Sequence, residues 1–142
     1  KLLNGASKKE KLFSRYIYEH LFQAHLHFKD SNSREFYRLV RSNTPTGEKP
    51  KVIATRRPFS KANGPIYYRF IRHQGSIVEK THNVYELSKQ RIQRYKELFL
   101  DADYEINKLP SYELKVASNP IKTFEDIPVK SRYKFLLDDA KF

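Results

Sequence analysis

Residues 15–28 read RYIYEHLFQAHLHF, with three histidines inside eight positions of a largely apolar run. How this run folds decides what the histidines do. Upstream, Ser7-Lys8-Lys9-Glu10 has the spacing of a capping box, in which the serine and glutamate side chains satisfy backbone N–H groups at a helix start. The pattern predicts a helix from about Lys8 to about Phe28. At roughly 100° per residue, Phe13, Ile17, Leu21, Ala24 and Phe28 share one arc, with Tyr18, Phe22 and Leu26 on the other side. Such a helix is buried most of the way round. Tyr16, His20, Gln23 and His27 fall in a stripe beside the apolar arc, and His25 points away from it. His20 and His27 then stand roughly 10 Å apart along the axis. A three-histidine metal site made from this helix alone is not expected, because ligands must lie within ~2 Å of the metal.

Beyond the turn-rich KDSNS (29–33), Phe36 to Ser42 is rich in β-forming residues and reads as a strand. NTPTGEKPK (43–51) is a loop, residues 52–57 a second strand ended by Pro58, and SKANGP (60–65) another loop. IYYRFIR (66–72) alternates Ile66, Tyr68 and Phe70 as an inside face. His73-Gln74-Gly75-Ser76 is turn chemistry, so Ile77 to Tyr85 is expected to return as the antiparallel half of a hairpin spanning 66–85. Ser88 is placed to cap a helix to about Leu100, whose apolar side is Ile92, Tyr95, Leu98 and Phe99. Residues 101–122 read as irregular chain. Thr123-Phe124-Glu125-Asp126 opens a turn, and Pro128 suits the first position of a final helix. The expected class is α+β, with an N-terminal helix, a small antiparallel sheet, further helices and a C-terminal helix.

The totals set the outer bounds. A chain of 142 residues makes one domain; 39% hydrophobic and 14% aromatic content is globular despite 31% charge. A formal charge of +12 favours polyanions, anionic headgroups or an acidic partner. The absence of cysteine excludes a disulfide scaffold, a thiolate metal site and covalent haem attachment within these residues. No apolar run approaches the ~20 residues that span a bilayer. With no methionine, and RYKFLLDDAKF (132–142) reading as a helix without a stop signal, residues 1–142 are expected to form a single domain or a fragment of a longer protein.

Six arginines lie in or beside the expected strands: Arg38, Arg41, Arg56, Arg57, Arg69 and Arg72. Guanidinium groups bind carboxylates and phosphates bidentately, and a solvated basic face has the same appearance. Pro58 fixes the backbone just after Arg56-Arg57. Interleaved aromatics and cations such as YYRFIR suit base stacking, yet no named nucleic-acid signature is present. There is no G-x-S-x-G elbow and no Gly-rich phosphate loop. His82 is a candidate acid or base, or a hydrogen-bonded structural residue. His20, beside Tyr16 and Gln23, is the stronger candidate; a satisfied core histidine is the competing reading.

Taken together, RYIYEHLFQAHLHF, YRLVRS (37–42), IATRRPF (53–59), YYRF (67–70), KTHNVY (80–85) and ASNP (117–120) resemble, in order, the fatty acid cis/trans isomerase family of Gram-negative bacteria. The resemblance implies a longer periplasmic protein with a c-type haem, which turns cis unsaturated acyl chains of membrane lipids trans without moving the double bond, as a stress adaptation. The partners so implied are unsaturated fatty acids and phospholipids, with peripheral membrane contact and no nucleic acid. The alternative is a basic binding module for nucleic acid or an anionic membrane surface. Two departures stand out: the C-x-x-C-H haem motif is absent, and Ser60 and Lys61 stand after ATRRPF where the resemblance implies acidic residues. On this resemblance His20 and Tyr16 are the candidate catalytic residues and His20 and His27 the candidate haem-facing residues. Arg56 and Arg57, supported by Arg38 and Arg41, would hold the fatty-acid carboxylate or a lipid phosphate. No metal ligands are expected.

Overall fold

The serine half of the expected capping box forms. In the computed structural model, which describes residues 2–29, 35–55, 57–72, 84–106 and 108–140, a 3-10 turn at Leu2–Asn4 leads into helix α1 (Lys8–Leu21). The Ser7 hydroxyl accepts from the Glu10 N–H at 3.1 Å and donates to the Glu10 carboxylate at 2.8 Å.

The helix then stops seven residues short of Phe28. Phe22 donates to the Tyr18 carbonyl at 2.9 Å, Ala24 turns back to Leu21 at 3.0 Å, and the chain continues as strand β1 (His25–Phe28). Residues 22–28 satisfy two periodicities at once, and tertiary pairing selects between them. As a strand, the segment buries Ala24 and Leu26 and leaves His25 and His27 only half-buried. β1 is also an inner strand, antiparallel to β2 (Tyr37–Ser42) at Leu26↔Tyr37 and parallel to β4 (Val84–Leu87) from His25↔Val84 to Phe28↔Leu87. Those ladder bonds would be lost to a continued helix.

The sheet runs β3-β2-β1-β4, with β3 (Tyr67–Arg72) antiparallel to β2 from Tyr37↔Arg72 to Ser42↔Tyr67. Two expectations are corrected. Among the described residues of 52–57 no strand forms: Val52 makes a bridge to Ser42, and the Ile53 N–H bonds the Arg41 carbonyl at 2.8 Å. The 66–85 hairpin does not form either: β3 and β4 lie on opposite edges of the sheet, which is mixed rather than wholly antiparallel. The expected hairpin turn at 73–76 and His82 lie outside the described residues. A polar side chain holds the edge of β3 that the hairpin would have used. Asn4 donates through Nδ2 to the Tyr68 carbonyl at 3.0 Å and accepts the Tyr68 N–H through Oδ1 at 2.8 Å. One amide thus imitates a neighbouring strand for one residue.

Ser88 caps α2 (Lys89–Phe99), accepting the Arg91 N–H at 3.0 Å. Within the stretch expected to be irregular, the chain makes two single-turn helices, α3 (Leu114–Ala117) and α4 (Pro120–Thr123); Asn119 caps the second and Pro120 opens it. Pro128 immediately precedes α5 (Val129–Ala140), and its carbonyl accepts the Arg132 N–H at 3.1 Å. The result is α+β, with helices at both ends of the chain. One core joins Phe13, Tyr16 and Ile17 of α1, Leu26, Leu39 and Leu87 of the sheet, Tyr95 and Phe99 of α2, Phe124, and Phe135 of α5. Among the described residues no helix is long and apolar enough to cross a membrane.

Candidate functional site

Tyr16 sits at the centre of this core. Its ring lies 4.9–5.4 Å from those of Phe99, Phe124 and Phe135. Burial pushes its phenol up to about 12, against a lowering pull from Arg132 and with a smaller push from Asp139. His20, one turn later, is exposed at the helix end, with its ring 4.2 Å from Tyr16 and 5.4 Å from Phe135. Its Nδ1 lies 2.8 Å from the Tyr16 carbonyl. That oxygen only accepts, so Nδ1 carries a hydrogen.

His27 does not share the stripe that a longer helix would have given it. It stands on β1, with Nδ1 3.3 Å from Glu86 Oε1 on β4 and its ring 5.8 Å from Phe36. Gln23 is exposed in the turn between helix and strand. The structure brings Tyr16 and His20 together and leaves His27 on a separate element. A c-type haem would need cysteine thiols, which the chain lacks, and a cleft beside a ligating histidine. Three described cavities are lined by none of Tyr16, His20 and His27. Among the described residues no group of three or more His, Asp or Glu is placed to hold a metal ion. With no cysteine in the chain, thioether attachment of a haem within these residues is excluded.

The arginines are not gathered either. Arg38 is exposed, while Arg41, an odd number of positions along β2 and hence on its opposite face, is almost fully buried. Its Nη1 donates to the Ser60 carbonyl at 2.9 Å and its Nη2 to Thr55 Oγ1 at 2.7 Å, over the Tyr18 ring. It fastens Thr55 and Ser60 to the sheet. Arg57 is exposed near the Phe59 ring, and Arg56 lies outside the described residues. Arg69 donates to the Glu48 carbonyl at 2.9 Å, and Arg72 pairs with Glu35 at 3.2 Å.

Two adjoining cavities have a more distinctive chemistry. The first, about 200 Å³, lies between α1 and the sheet and is walled by Leu2, Phe13, Ile17, Leu21, Leu39 and Leu87 among others, so it is chiefly apolar. The second, about 450 Å³, is bordered by Lys11, Arg15, Ile66, Pro110 and Tyr112. Leu3, Asn4 and Tyr68 line both. Lys11 is exposed, whereas the buried Arg15 spends its guanidinium on Glu19, the Pro110 and Ser111 carbonyls and the face of Tyr112. Burial, chiefly, and the neighbouring Tyr112 phenol raise Tyr68 far above its ordinary value. The dividing wall is the short 3-10 turn, tied to β3 by the Asn4 amide. Sequence reading marked Tyr68 as an inside residue but missed Leu3, Asn4, Lys11 and Tyr112. The available signal was the Leu2-Leu3 pair just ahead of the capping box.

A third cavity, about 520 Å³, has charged residues, Lys29, Glu86, Arg91, Arg94 and Asp138, in its lining. Its arginines are matched by acids from α5, Arg91 to Asp139 at 2.6 Å and Arg94 to Asp138 at 3.0 Å.

The family model described as "Fatty acid cis/trans isomerase (CTI)" matches residues 1–142. No curated protein and no solved structure matches the chain.

Proposed function

We propose, taking as premise that this chain belongs to the fatty acid cis/trans isomerase family, that it holds the acyl chain for that reaction. The observation that carries this reading is the apolar cavity beneath α1, which adjoins the cavity bearing Lys11 across a wall made by Leu3, Asn4 and Tyr68. A fatty acid is amphipathic in the same sense. Its tail would lie against Phe13, Ile17 and Leu39, and its carboxylate, or the phosphate of a phospholipid, would sit near Lys11. At about 200 Å³ the apolar cavity falls below the ~300–1,000 Å³ usual for ligand pockets. Full entry of the tail would move the Leu2–Asn4 turn, which is one turn long and hydrogen-bonded to β3 through the Asn4 side chain.

A cis double bond bends a chain and a trans bond straightens it, so gripping one side of the bond while the other stays free suits the exchange. We assign no bond-weakening step to Tyr16 or His20. The haem expected for the family we place outside residues 1–142, with the whole enzyme working on phospholipid acyl chains in the periplasm.

Calorimetric titration with oleate tests the reading. Leu3→Trp, which fills the shared wall, is expected to weaken binding more than about tenfold, or ~1.4 kcal/mol, with unchanged far-UV circular dichroism. Lys11→Glu should weaken oleate but not the uncharged oleyl alcohol. Wild-type affinity in both variants would contradict the assignment.

A further inference from the structure

Helix α5 turns two apolar faces in opposite directions. Phe135 and Ser131 point into the core, at 0% and 5% exposure. Val129, Tyr133, Leu136 and Leu137 point out, at 71%, 62%, 53% and 43%. At 3.6 residues per turn these four fall within one arc of roughly 100°, the width of a stripe that helices ordinarily bury. An ordered apolar stripe of this kind differs from scattered surface leucines, which need no explanation.

Its flanks carry basic residues, while the exposed acids Glu125 and Asp126 lie just ahead of the helix. Lys130 and Lys134 flank the stripe on one side and Arg132 on the other. The two acids of the helix, Asp138 and Asp139, turn inward to Arg94 and Arg91 of α2. The helix just before it in sequence, α4, exposes Ile121, at 75%, next to an exposed Lys122. A second copy of this chain is a poor fit, because pairing the stripe with itself would bring lysines against lysines within a chain of net charge +12.

We infer that the outer face of α5 docks on the surface of an anionic phospholipid bilayer, with Val129, Tyr133, Leu136 and Leu137 sunk to the acyl boundary and Lys130 and Lys134 against the headgroup phosphates. This is how interfacial amphipathic helices bind: apolar area supplies the hold and basic flanks supply the preference for anionic lipid. The inference rests on the reading of the chain as acting on membrane acyl chains, and it assigns the surface that brings the chain to them.

The chain contains no tryptophan, so Tyr133→Trp in the 142-residue chain gives a single reporter on an exposed position. With vesicles of phosphatidylglycerol and phosphatidylcholine its emission is expected to shift to the blue and to be quenched by brominated acyl chains; with phosphatidylcholine alone both effects should be weak. Adding Lys130→Glu and Lys134→Glu is expected to lower vesicle binding more than roughly tenfold, at about fivefold per lysine. Adding Leu136→Gln and Leu137→Gln should abolish it, with circular dichroism unchanged because both side chains are exposed. An unshifted emission with anionic vesicles, wild-type binding by the double-glutamine variant, or a concentration-dependent dimer that hides the introduced indole without lipid would each overturn the inference. Oleate titration separates the two readings. The double-glutamine variant should keep oleate affinity, whereas Leu3→Trp should lose it and keep vesicle binding.

Discussion

Phe135→Ala is expected to destabilise the fold by about 3–5 kcal/mol, lowering the melting midpoint by roughly 10–15 °C for a chain of this size. Phe135 is fully buried, and its ring lies within 5.4–5.7 Å of those of Tyr16, His20, Tyr95 and Phe99. It is the point where α5 meets both α1 and α2. Truncation removes the transfer free energy of the ring and leaves a void that aromatic neighbours on two other helices cannot close. Leu136→Ala, one residue on and half-exposed, should change stability by no more than about 0.5 kcal/mol. Urea denaturation of the two variants side by side therefore reports the rotational phase of α5. Equal losses would mean that the helix presents a different face to the core.

Alkaline unfolding is the second large effect. An unfolded tyrosine ionises near pH ~10. In the fold, burial holds Tyr16, Tyr95 and Tyr104 protonated up to about 12. Tyr68 and Tyr85 stay protonated to higher pH still, chiefly through burial, with a neighbouring phenol next in order for each. Tyr85 also donates to Asp139 at 2.6 Å and hydrogen-bonds Tyr95. Above pH 10 the folded state therefore binds more protons than the unfolded one. The stability these groups confer is complete below pH 10 and is lost as pH rises toward 12 and beyond, by roughly 1.4 kcal/mol per pH unit for each fully buried tyrosine. Tyr104, only half-buried, contributes less. Several acting together remove a large share of the ~5–15 kcal/mol that holds a domain. The part of the tyrosinate absorbance that belongs to these five of the ten tyrosines should accordingly appear together with the loss of far-UV circular dichroism, in one cooperative step above pH 10. Ionisation of all ten near pH 10 over an intact fold would show that these phenols are not buried.

What the sequence disclosed about the fold was whatever local chemistry controls. Ser7 and Ser88 carry hydroxyls placed to accept an N–H three residues on, and both helices begin where those residues say. The end of α1 was not legible, because FQAHLHF carries apolar residues at helical and strand spacings alike and contains no glycine or proline. Only the partners supplied by β2 and β4, distant in sequence, select the strand. The placement of β4 was hidden for the same reason. Turn chemistry at 73–76 argues for a local hairpin, and nothing local shows that Asn4 holds the outer edge of β3 while Leu26 and Phe28 lie opposite Tyr85 and Leu87.

The candidate site was legible only in part, and again the reason is tertiary. Tyr16 and His20 are neighbours because they lie one turn apart on a true helix. His27 was joined to them by extending that helix too far. Arg41 has the composition of an anion-binding residue, but its guanidinium is spent on Thr55 and Ser60, positions that no spacing rule connects to it. The apolar cavity is built from the N-terminal turn, α1, residues of all four strands and α2, an assembly visible only once the chain has folded.

Nuclear Overhauser contacts between the 142-residue chain and carbon-13-labelled oleate, below its micellar concentration, test the central claim most directly. Contacts from the acyl protons to the methyl groups of Ile17, Leu39 and Leu87, with the carboxyl end nearest Lys11, are the predicted result. Acyl contacts confined to other surfaces, with those three methyl groups unaffected at saturating oleate, would contradict it.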